Sequence, residues 1–71
     1  MPGSASDEER ARQYRSCLDN AVRWRQEAEN LRSHAALPRL TLEASAALLR
    51  SAGWAEQTAL YWQAGAEDYR S

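Results

Sequence analysis

Pro38 constrains this chain more than any other residue, because it cuts a run of helix formers into two nearly equal halves. From Asp7 to Ala36 there is neither Gly nor Pro, and the residues present lose little on entering a helix. Proline lacks the backbone N–H, and its ring clashes with the preceding turn, so no helix runs through Pro38. It also pushes Leu37 towards extended backbone. The pattern predicts a flexible N-terminus over 1–6, a helix over 7–36, a turn over 37–40 and a second helix over 41–70. Ser6, followed by Asp7, Glu8 and Glu9, has the chemistry of an N-cap with acids in the first turn. Thr41 and Glu43 repeat that signal for the second helix. A connection this short joins antiparallel neighbours. The expected fold class is therefore all-α, an antiparallel helical hairpin of two long helices.

Hydrophobic spacing sets the inward face. In the first helix Tyr14, Cys17, Ala21, Trp24, Ala28, Leu31 and Ala35 recur at alternating intervals of three and four, a seam of the coiled-coil kind. In the second, Thr41, Ser45, Leu48, Ala52, Ala55, Ala59, Trp62, Ala66 and Tyr69 do the same. A turn centred near Pro38 makes facing positions add to about 76. That register sets Trp24 against Ala52 and Gly53, Tyr14 against Trp62, Cys17 against Ala59, and Leu31 against Ser45. Large then meets small along most of the seam.

Gly53 is the ambiguous position. "LLRSAGW" has the look of a helix stop, with Gly53 left-handed and Trp54 packing back on Leu49. The seam, however, keeps its phase through the glycine, which a turn would reset. A glycine inside a helix costs only about 1 kcal/mol relative to alanine, less than losing the seam. The expectation is a continuous second helix, bent at Gly53 if at all, with the glycine making room for Trp24. The alternative is a break there and three helices.

Two helices cannot bury all the apolar surface this chain carries. Leu42, Ala46, Leu49 and Leu60 make a second stripe on the second helix, well away from the seam, and Leu18 and Val22 point the same way from the first. A chain of 71 residues buries only about 60% of the surface its unfolded form exposes, and such scaffolds usually need a staple. Cys17 is the only cysteine and His34 the only histidine, so neither an internal disulfide nor a metal cluster is available. A second copy remains, giving a four-helix bundle with Leu18, Val22, Leu42, Leu49 and Leu60 at its interface. Arg25 and Glu56 fall inside the apolar arcs of their helices and form a candidate ion pair that would favour register more than stability.

The stretch "LTLEASAALL", then a glycine, then "QTALYW" resembles the opening of excisionase-type helix-turn-helix domains. The resemblance covers under half the chain and implies a turn at Gly53 and a recognition helix from Trp54. That helix would carry Glu56, Glu67 and Asp68 against Arg70 alone, and would repel phosphate. The "AG" turn with Ala and Tyr after it at helical spacing is also similar to a tetratricopeptide helix pair. No second repeat stands beside it to bury its faces.

Charge and composition exclude more than they assign. Nine arginines and no lysine balance ten acids, so no strong field draws the chain to nucleic acid or membrane. Absent lysine beside abundant Ala and Arg fits a GC-rich bacterial or phage coding bias. No apolar run has the length of a membrane span, and the expected location is cytoplasmic. No histidine stands near a nucleophile, and neither the glycines nor the carboxylates form a catalytic pattern, so no enzyme and no cofactor are expected. Cys17 reads as a small core residue, and His34 as a partner for the helix dipole. Trp54 and Tyr61, one heptad apart and off both stripes, are candidate anchors for a protein partner. Arg12, Arg15 and Arg23 are candidates on the first helix. The expected function is a non-catalytic, self-associating helical protein that binds another protein as adaptor, inhibitor or regulator. The alternatives are a helix-turn-helix DNA-binding regulator, or a binder of a small anionic ligand such as a nucleotide at an Arg-lined bundle groove.

Overall fold

Two helices, α1 (Pro2–Ala35) and α2 (Leu42–Glu67), run antiparallel and pack on each other, with the N-terminal turns of the longer α1 extending past the end of α2. The computed structural model describes residues 2–70, with side chains from residue 6 onward. The hairpin is a rod with Cα extents of 60 × 13 × 11 Å.

α1 starts earlier than its local signals indicate. Helix already runs from Pro2, so Ser6 lies within it rather than capping it, and residues 2–6 are helical. Proline suits the first helical position, where its missing N–H would have no intrahelical partner and its fixed φ is already helical. Met1, the remaining residue of the expected flexible segment, lies outside the described residues. At the other end Ala36 N–H donates to Arg32 O and Leu37 N–H to His34 O, both at 3.1 Å, and Pro38 ends the ladder. Arg32 and His34 sit in that last turn, where cations complement the dipole.

α2 begins as expected. Thr41 is extended (φ −69°, ψ 161°), and its hydroxyl oxygen accepts from Ala44 N–H at 3.1 Å. Gly53 then breaks nothing. The helix is continuous across it, and among the described residues no glycine has a positive φ. The Schellman geometry that "LLRSAGW" hints at is not adopted. Without a turn, neither the helix-turn-helix nor the tetratricopeptide pair forms. Past Glu67 the backbone tightens, with Asp68, Tyr69 and Arg70 each bonding three residues back.

Apart from Thr41 and Tyr69, which are exposed at the ends of α2, the seam residues go inward on both helices, but their pairing differs from the large-on-small expectation. The buried set is Cys17, Ala21, Ala28 and Ala35 on α1, and Ala52, Ala55, Ala59 and Ala66 on α2. Alanine recurs at every seventh position on each helix. Ser45 Oγ donates to Ala35 O at 2.5 Å, locking the turn end. That contact places the register about one helical turn away from the expected one, so that alanine rows oppose each other. Tyr14, Trp24, Leu31, Leu48 and Trp62 lie at the seam's margins, each half-buried. Among the described residues no large side chain is fully buried.

The shift also removes the role expected of Gly53. A Cβ added there would meet nothing within 4 Å, so the glycine does not make room for Trp24. Trp24 instead meets Trp54 edge-on, with ring centroids 5.2 Å apart.

Candidate functional site

Two sides of the rod are distinguishable by what crosses between the helices. On one side, α2 carries Leu42, Ala46, Leu49, Gly53, Glu56, Leu60 and Gln63, spaced alternately by four and three. α1 carries a matching row, Leu18, Val22, Arg25, Glu29 and Arg32. The rows belong to one surface, because Arg32 forms an ion pair with Glu56 and Arg25 Nη2 donates to Gln63 Oε1 across it. The expected Arg25–Glu56 pair is therefore replaced. Glu56 instead reaches Arg32, one heptad further along α1, and Arg25 reaches Gln63; both contacts run diagonally, because long side chains lean back towards the N-terminus of their own helix. Both members of the ion pair are about half exposed.

Apolar side chains on this surface reach water. Val22, Leu49 and Leu60 are exposed, Leu42 is 90% exposed, and Leu18 is half-buried. They form two groups, Leu18, Val22 and Leu60 nearer the open end and Leu42 and Leu49 nearer the turn. Arg25 and Glu56 lie between the two groups, while Gln63 lies beyond Leu60 towards the open end and Arg32 lies level with Leu49.

The opposite side belongs to the aromatics. Trp54 and Tyr61 are 62% and 70% exposed. Trp54 packs its ring against Trp24, and Tyr61 packs edge-on against Trp62 at 5.6 Å. Thr58 donates its hydroxyl to Trp54 O at 2.9 Å on the same side. Each aromatic is thus held by a half-buried tryptophan while its outer face stays open, an arrangement that limits rotamer loss on binding.

Arg12, Arg15 and Arg23 are exposed and share the outward face of α1 by helical position, Arg12 and Arg15 as neighbours and Arg23 two turns beyond Arg15. The groove with two arginines lies at the open end, where Arg10 and Arg70 meet Tyr14 and Tyr69. Asp7 lines the same groove, and Arg70 already pairs with Glu67 at 3.4 Å. Cys17 is buried and His34 is exposed at the end of α1. Among the described residues no group of three His, Cys, Asp or Glu side chains could hold a metal ion, and no helix is long and apolar enough to cross a membrane.

Sequence reasoning missed the Trp24–Trp54 and Arg32–Glu56 contacts. The alanine heptad on each helix could have found the first, since opposing the two alanine rows gives the observed register and brings Trp24 near Trp54; it does not find the second, because Glu56 then lies level with Trp24.

The chain matches no protein-family model, no curated protein and no solved structure at a significant level.

Proposed function

We propose that this chain is a non-catalytic helical protein that self-associates through its leucine-bearing surface into a four-helix bundle and acts by binding another protein through Trp54 and Tyr61. The observation that carries this reading is an inversion of the usual burial order. The core is one cysteine and seven alanines, while Val22, Leu42, Leu49, Leu60, Trp54 and Tyr61 are exposed.

Area supports the same reading. The hairpin exposes 5688 Å², whereas a compact monomer of this mass exposes about 4,450 Å². The excess of about 1,200 Å² is comparable to, and larger than, the roughly 800 Å² each partner contributes to a standard interface. Single exposed leucines need no explanation, whereas a row of them on a surface this extended supports reading it as an interaction surface.

The test separates the two surfaces. Sedimentation at micromolar concentration should give twice the chain mass. Leu49→Glu, which puts a charge into the leucine surface, should lower it towards one chain. Trp54→Ala with Tyr61→Ala should keep mass and helicity but lose the partner captured from the native host, because truncated anchors typically cost 2 kcal/mol or more, about thirtyfold. A salt-dependent mobility shift with duplex DNA, or saturable thermal stabilisation by a nucleotide, would replace this reading with a regulator or a ligand binder.

A further inference from the structure

Gly53 is unexplained by the hairpin in which it sits. Its backbone is helical with no positive φ, and an added Cβ would meet nothing within 4 Å. Alanine would serve α2 better at that position. Gly65 shares both features; what distinguishes Gly53 is its place in the middle of the leucine row, where the close approach of another backbone would give the missing side chain a use.

We propose that Gly53 lies at the two-fold axis of a dimer, where two hairpins cross along their leucine rows with their turns at opposite ends. This rests on the self-association reading above and adds to it the arrangement of the second copy. The position of Gly53 is the first support. It is the central member of the row Leu42, Ala46, Leu49, Gly53, Glu56, Leu60, Gln63, with three members on each side.

Self-complementarity is the second. A two-fold axis through Gly53 carries Leu60 onto Ala46 of the second copy, since each lies seven residues from the axis. Large then meets small twice. On α1 the level of Gly53 is about residue 27 by the register of the Ser45–Ala35 contact. Arg25 and Glu29 flank that level at equal distances, so Arg25 of each copy meets Glu29 of the other. An isologous interface requires this self-matching of one patch. The near-neutral chain, formal net charge −1, opposes the pairing with little long-range repulsion. Turns at the same end would instead lay Gly53 against α1 and Leu60 against Leu18 and Val22, leaving the glycine without a use.

Two measurements decide it, both in a Cys17→Ala background. Chains carrying Ala46→Cys are mixed with chains carrying Leu60→Cys and oxidised; a disulfide-linked heterodimer is expected. Cross-linking of Leu60→Cys to Val22→Cys in its place overturns the proposal. In the second measurement, Gly53→Ala should raise the dimer dissociation constant by at least about tenfold through overpacking at the axis. Gly65→Ala, with the same gain in helix propensity and equally open surroundings, should move it less than about twofold. A Gly53→Ala dimer as tight as the parent, or tighter, overturns the axis while leaving self-association intact. A parent chain that stays monomeric into the millimolar range overturns both.

Discussion

Alanine at the seam decides how close the two helices come. Ala21 and Ala59 are each 1% exposed, and the Ser45–Ala35 register places them level with each other. Neither leaves space for a larger side chain. Ala59→Leu should therefore lower stability by about 1–3 kcal/mol through overpacking, read as a lower urea midpoint. Ala64→Leu, at an exposed position of the same helix, should change it by no more than about 0.5 kcal/mol. Thr41 makes a second prediction at this scale. Its hydroxyl satisfies Ala44 N–H, one of the donors a helix start leaves unpaired, so Thr41→Ala should cost about 1 kcal/mol by the same measurement. Both Cys17 as a core residue and Thr41 as a cap were legible in the sequence, because spacing and local chemistry fix them without reference to the other helix. The partners of Trp24 and Glu56 were not. Turn length alone leaves the register uncertain by about a helical turn, and the long side chains of Arg25, Arg32 and Glu56 reach partners that are not level with them.

Continuity of α2 was legible for a different reason. A helix that restarted at Gly53 would have had to resume the seam in phase by chance, and the phase is unbroken from Thr41 to Tyr69. The start of α1 was less legible. Ser6 with three acids is a strong local start signal, yet it competes with Pro2, which also favours a first turn. Gly65 supplies the test at this scale. It lies within α2 without a positive φ, and an added Cβ would meet nothing within 4 Å. Gly65→Ala should raise stability by about 1 kcal/mol, visible as a higher urea midpoint. Glu56→Ala should cost less than about 1 kcal/mol, because its ion pair with Arg32 is half exposed and water screens it.

Taken whole, the hairpin is a rod 60 Å long whose buried side chains are one cysteine and seven alanines. Burying an alanine methyl removes about one carbon from water, roughly 0.8 kcal/mol, against roughly 1.5–3 kcal/mol for a leucine. The leucines that could add more lie outside, at Leu42, Leu49 and Leu60. If a second copy covers them, folding and association become one equilibrium, and stability depends on protein concentration. Raising the concentration tenfold contributes about 1.4 kcal/mol per dimer. Spread over the unfolding entropy of two chains, this raises the melting temperature by roughly 5 °C. Circular dichroism melts at roughly 2, 20 and 200 μM should show that rise at each step. If that copy is there, Leu49→Glu should flatten the dependence and lower every melting temperature, because it puts a charge into the surface that the copy covers. A parent melting temperature that is independent of concentration, with a mass of one chain, would mean that the alanine seam alone holds the rod together.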